Sequence, residues 1–200
     1  MGEINTNTQN VWYLFHGYGQ LAKYFLNNFK TFHDKHTILI APEGLHRFYL
    51  NGFSGRVGAS WMTKEERETD IRNQINYLNS LHEKISKIAP ENANYHILGF
   101  SQGVATAGRW LANSELKIKS FVQYAGGFPN DIDNIKIDAK LNNVKYLICL
   151  GNEDEFINQE SLRKEEKFLS DFNPNLEIII FDGGHEIKKE TLEIIKGKVK

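Results

Sequence analysis

Tyr95-His96-Ile97-Leu98-Gly99-Phe100-Ser101-Gln102-Gly103 is a mostly apolar, strand-forming run that passes through the pattern G-x-S-x-G. Small and helix-forming residues follow over 103–113. This is the sequence context of a nucleophile elbow, a strand-to-helix turn so sharp that the serine sits in strained backbone. Bulky side chains on either flank would collide with neighbouring elements, which accounts for glycine at 99 and 103. In a chain of this composition the pattern arises by chance roughly 0.06 times, before a preceding strand and a following helix are required.

Outward from the elbow, apolar periodicity predicts strands over 11–15, 37–41, 95–99, 119–125, 144–150 and 176–181. Each run is nearly continuous in apolar residues, as expected of strands covered on both faces. Residues 65–88 place Ile71, Ile75, Leu78, Leu81, Ile85 and Ile88 at steps of three or four, an apolar stripe on a polar helix that Pro90 ends. Further helices are expected over 103–113, 159–172 and 187–196. Alternating strand and helix predicts an α/β fold: a mostly parallel sheet of about six strands with helices on both faces.

The 200 residues, 40% hydrophobic and 24% charged, suit one domain over 1–200. A net charge of −1 gives no field that would draw the chain to nucleic acid or to an anionic membrane. The start, Met1-Gly2-Glu3-Ile4-Asn5, lacks the basic and apolar regions of a secretory signal, and no apolar run is long enough to span a bilayer. A cytoplasmic protein without integral membrane association is expected. The single cysteine, Cys149, excludes an internal disulfide and a thiolate zinc cluster.

A serine hydroxyl needs a base to remove its proton and a carboxylate to orient that base. Downstream of Ser101 the only histidine is His185, in Asp182-Gly183-Gly184-His185 after the last predicted strand. In open α/β sheets such loops gather at the carboxyl edge. The acid should follow the strand over 144–150, where Glu153, Asp154 and Glu155 compete. Asp154 is preferred, because a short carboxylate three residues beyond Gly151 can bend back towards the sheet. Backbone amides should bind the oxyanion: that of Gln102, and that of Tyr18 in His16-Gly17-Tyr18-Gly19, where flanking glycines let the main chain turn inward. His16 reads as a buried hydrogen-bonding residue that shapes this loop.

Taken together, H-G-x-G at 16–19, G-F-S-Q-G at 99–103, G-x-x-D-x-x-[V/I] at 151–157 and G-G-H at 183–185 resemble the α/β-hydrolases. Within them the chain is similar to the small carboxylesterase, lysophospholipase and acyl-protein thioesterase family. Ser60-Trp61 matches a further element of its pattern. The resemblance implies Ser101 as nucleophile, Asp154 as orienting acid, His185 as general base and acid, and the Tyr18 and Gln102 amides as oxyanion hole. It raises Asp154 well above Glu153 and Glu155. The chain departs from the family pattern at Gln20, where an aspartate is common, at Val104, where glycine is common, and at Met62-Thr63. None of these removes a catalytic group. With ten residues before Val11, a minimal six-stranded sheet without a lid domain is expected.

The implied activity is a serine hydrolase acting on short to medium acyl esters, with acyl thioesters or lysophospholipids as the alternative. No cofactor and no metal are expected. The aromatics Phe48, Tyr49, Phe53, Trp61, Phe128 and Phe156 fall in loops that should ring the carboxyl edge, and are read as the substrate-binding set. Two other chemistries fit poorly. His33-Asp34-Lys35-His36 has metal-ligand residue types but precedes a strand, at the wrong edge. Gly52, Gly55 and Gly58 lack the lysine and hydroxyl of a phosphate loop. The alternative from another class is a hydrolase fold that binds a ligand without turning it over.

Overall fold

Six parallel strands form the centre of the protein, in the order β2-β1-β5-β6-β7-β8. In this computed structural model residues 1–156 and 159–199 are described. The sheet strands are β1 (Asn10–Phe15), β2 (Thr37–Ile40), β5 (Asn94–Phe100), β6 (Ser120–Tyr124), β7 (Lys145–Gly151) and β8 (Glu177–Phe181). All six runs expected from the sequence are present, each within a few residues. The pairing follows from their composition: in β1, Val11, Tyr13 and Phe15 project to one face while Trp12 and Leu14 project to the other, and all five are buried.

Each face is covered by helices. On the face of Val11, Tyr13 and Phe15 lie α2 (Arg67–Ser86), α3 (Gln102–Ala112), α4 (Asn134–Leu141) and α5 (Gln159–Phe172). Trp110 of α3 meets Tyr13 edge-on, with ring centroids 5.0 Å apart, and its indole N–H donates to Asn79 of α2 at 2.9 Å. On the opposite face, Phe25, Phe29 and Phe32, from the short helix α1 (Ala22–Phe25) and the 3-10 turn Leu26–Phe32, pack with Leu192 and Ile195 of α6 (Lys189–Lys198). Cys149 is buried in this second core. Among the described residues, no helix is long and apolar enough to cross a membrane.

The stretch 43–63 is not a simple loop. It forms an antiparallel ribbon of β3 (His46–Asn51) and β4 (Ser54–Ser60) outside the main sheet. The sequence signal is weak because β4 carries Gly55 and Gly58 and lacks apolar alternation. Gly58 is needed for mounting the ribbon, since a Cβ there would overlap the Gly19 backbone. Two backbone hydrogen bonds complete the mount, Gly19 N–H to the Ala59 carbonyl at 2.9 Å and Ala59 N–H to the Gln20 carbonyl at 3.1 Å. Helix α4 also goes beyond the sequence expectation. Asp133 caps it, accepting the Ile135 N–H at 2.9 Å, and Ile137 and Leu141 are buried.

Candidate active site

Ser101 sits between β5 and α3 with φ 53° and ψ −122°, in the left-handed half of backbone space that a side chain rarely adopts. The turn is held by the Ser101 N–H donating to the Tyr124 carbonyl at 2.9 Å and by the Val104 N–H donating to the Ser101 carbonyl at 3.0 Å. Its tightness depends on missing Cβ atoms. A Cβ on Gly99 would run into the backbone of Val104, and one on Gly103 would overlap the Phe15 carbonyl oxygen. A Cβ on Gly126 would overlap the Ser101 carbonyl. Gly103→Ala is therefore expected to lower the unfolding free energy by about 3 kcal/mol, because the atoms that the new Cβ would meet, the Phe15 carbonyl and the His16 carbonyl oxygen, are backbone and cannot give way. Gly197→Ala, in open space on α6, should be neutral or slightly stabilising. Urea midpoints of the two variants, read by circular dichroism, check this contrast.

The loops after β7 and β8 are fastened to each other. Gly151 lets them approach, since a Cβ there would overlap the Gly183 carbonyl. Asn152 accepts the Gly183 N–H at 3.0 Å and donates from its amide to Asp182 at 3.1 Å. Asp154 and His185 are brought together by this clasp: Asp154 Oδ2 lies 2.8 Å from His185 Nδ1. The Asp154 side chain is fully buried, and its Oδ1 accepts the Phe156 N–H at 3.0 Å. Glu153 and Glu155 are exposed. Ile157, the last position of the G-x-x-D-x-x-[V/I] match, lies outside the described residues.

Ser101 and His185 line one open cavity of about 590 Å³, together with Tyr18, Gln102, Leu150 and Phe156. Their side chains are not hydrogen-bonded to each other among the described residues, and such contacts commonly tighten when substrate binds. The imidazole is held between two rings, Phe100 at 5.0 Å and Phe156 at 4.8 Å. Neither the Tyr18 N–H nor the Gln102 N–H has a protein acceptor among the described residues. The neighbours of Tyr18 are both engaged: Gly17 N–H donates to the Gln20 side chain at 2.9 Å, and Gly19 N–H to Ala59. Gln20, at a departure from the family pattern, thus pins the loop.

His16 is fully buried. Its Nε2 accepts the Gly44 N–H at 2.9 Å and its Nδ1 faces the Gly17 carbonyl at 2.8 Å, so the ring is neutral with the proton on Nδ1. Burial holds its pKa below the usual imidazole range, against the opposite pull of the Gly17 carbonyl and Glu43.

Of the six aromatics read as a substrate set, Phe156 alone lines the cavity. Trp61 is completely buried, stacked 5.0 Å from the His16 ring, and its indole N–H donates to the His16 carbonyl at 2.9 Å. It braces the Tyr18 loop from behind. Phe128 belongs to the core beside Phe121 and Tyr146. Phe48, Tyr49 and Phe53 lie on the ribbon: Phe48 touches the Tyr18 ring, centroids 5.1 Å apart, while Tyr49 is half exposed and Phe53 is 98% exposed near the tip. For Phe48, Tyr49 and Phe53 the cause of the correction is the ribbon, which carries these side chains past the cavity, whereas Trp61 and Phe128 are packed inward.

Two contributors escape the sequence reading. The Gln102 side chain accepts the Trp61 N–H at 3.1 Å and donates to the Met62 carbonyl at 2.8 Å, tying the end of the ribbon to the elbow. Its place in G-F-S-Q-G was the available signal. Glu165, on α5, lines the cavity. Burial pushes its carboxyl up from the ordinary range, although N–H donors from Phe128 and Gln123 pull the other way. Nothing in the charged sequence of α5 distinguishes it from Glu166.

The profile of the phospholipase/carboxylesterase family matches residues 3–200. The chain belongs to that family. It is accordingly an ester hydrolase. Solved structures share the fold at low identity. Maize acyl-protein thioesterase 2 superposes with a TM-score of 0.73 at 15% identity, over 100% of this chain and 97% of that one. The Bacillus cereus carboxylesterase gives 0.72 at 18% identity, over 98% and 89%. The phospholipase/carboxylesterase of Dyadobacter fermentans gives 0.72 at 14% identity, over 99% and 93%. No curated protein sequence matches the chain.

Proposed function

We propose that this family member is a single-domain cytoplasmic carboxylesterase that cleaves short to medium acyl esters through an acyl-enzyme on Ser101. The observation that carries the reading is the 2.8 Å contact between Asp154 Oδ2 and His185 Nδ1 at the cavity that also holds the strained Ser101. With Nδ1 donating to the carboxylate, His185 Nε2 is left to accept a proton. Ser101 Oγ attacks the acyl carbon as its proton passes to Nε2, and the oxyanion that forms takes up the Tyr18 and Gln102 amides. Collapse expels the alcohol, which carries away the proton from Nε2. Water, activated by the same nitrogen, then releases the acid and restores Ser101.

Leu150, Phe156 and Leu162 supply apolar surface for the hydrocarbon part of the substrate at about 25 cal/mol per Å² buried. Thioesters pass through the same oxyanion, so the proposed activity extends to them, in keeping with the fold shared with the maize thioesterase. A fluorophosphonate should label the purified protein on Ser101, located by peptide mass, and the same protein should turn over a short nitrophenyl ester. Ser101→Ala should take up no label. A folded protein that neither reacts nor turns over would be a binding module on a hydrolase fold.

A further inference from the structure

The cavity above Ser101 has one acidic wall. Around Glu165 it is lined by Ala105, Ala125, Leu150, Phe156 and Leu162, and among the described residues no lysine or arginine reaches it. The carboxylate is held in place by one oxygen only. Oε1 accepts the Phe128 N–H and, at 3.0 Å, the Gln123 side-chain N–H. Gln123 is fixed in turn, accepting from the Tyr146 hydroxyl and donating to the Gly126 carbonyl, both at 2.8 Å. Oε2 has no protein partner among the described residues. A Cβ on Gly127 would lie 3.9 Å from Oε2, and Gly127 adjoins Gly126, which abuts Ser101. Two glycines therefore separate nucleophile from carboxylate along the cavity wall.

An anchored carboxylate with a free oxygen beside an apolar stretch of the cavity wall, with no cationic side chain near it among the described residues, is a strong acceptor without a donor. We propose that Glu165 determines specificity, selecting esters in which the group lying along Gly126 and Gly127 carries a primary ammonium over purely hydrocarbon ones. The proposal rests on the hydrolytic reading given above. An ammonium is paired only by the ionised carboxylate, so the selection is lost as pH falls through the Glu165 pKa, which burial raises.

The test compares kcat/KM within two matched pairs. For the acyl side, 4-nitrophenyl 6-aminohexanoate is set against 4-nitrophenyl hexanoate; for the alcohol side, 6-aminohexyl butyrate is set against hexyl butyrate. The ammonium member should be preferred by about tenfold or more in one pair, which also shows which part of the substrate occupies the wall. Glu165→Gln should erase that preference, while Glu166→Gln, which removes the same charge from the same helix, should retain it. No preference in either pair, an undiminished preference in Glu165→Gln, or equal loss in Glu166→Gln would each overturn the proposal. Absence of turnover with all four esters would instead bring down the hydrolytic reading, and this one with it.

Discussion

His185→Ala is expected to lower kcat/KM for a short nitrophenyl ester by about 10⁴-fold or more, with the fold intact. No other histidine can take over. His16 has both ring nitrogens committed, to Gly44 and Gly17, and is sealed beneath Trp61. His96 lies near the amino end of β5, bonded to Ser120 and Asn10. The His185 side chain is 23% exposed and meets Phe100 and Phe156 edge or tilt, so its loss opens no sealed cavity and the melting temperature should move little. Fluorophosphonate labelling of Ser101 should slow in parallel with turnover. Turnover like that of the unaltered protein would remove His185 from its proposed role.

Asp154→Asn should cost about 10³ to 10⁴ in kcat, although it changes one atom. Asp154 Oδ1 accepts the Phe156 N–H, so the asparagine must keep its carbonyl oxygen there and turn its NH2 towards His185. Nδ1 then has to accept rather than donate, which moves the ring proton to Nε2, the nitrogen that must take the proton from Ser101. The imidazole would be in place and in the wrong tautomer. Glu153→Gln and Glu155→Gln alter exposed side chains and should leave kcat within a few-fold. Steady-state kinetics on the three variants give the ranking, and a larger loss at Glu153 or Glu155 would transfer the orienting role.

The central sheet is legible in the sequence because parallel strands buried on both faces need nearly continuous apolar runs, and β1, β5 and β7 have them. The meeting of Asp154 and His185 is legible for a related reason: once Gly99-Phe100-Ser101-Gln102-Gly103 fixes the carboxyl edge of β5, loops after β7 and β8 must open on the same side. The ribbon β3–β4 is not. Its strands face solvent over much of their length, so no burial pattern was written into them, and β4 spends two positions on glycine. That omission misdirected Phe48, Tyr49 and Phe53 to the substrate, while Trp61 is buried against His16. Glu165 was hidden differently. Whether a glutamate on an amphipathic helix points at water or into a cavity depends on how the helix is rotated against the sheet, which a charge pattern does not record.

The ribbon is bolted at its base and free at its far end. Gly58 against Gly19, the hydrogen bonds of Ala59 to Gly19 and Gln20, and the Gln102 amide on Trp61 and Met62 all act at the end of β4 or in the two residues that follow it, whereas Phe53 stands almost wholly in water. Length added or removed at 51–54 falls at the exposed turn, outside the hydrogen bonds that hold the base of the ribbon, with Leu50 as the nearest side chain to the Tyr18 loop, beside Gly19. This exposed turn is a natural graft point, where foreign peptide can be carried clear of the hydrogen bonds that hold the ribbon's base.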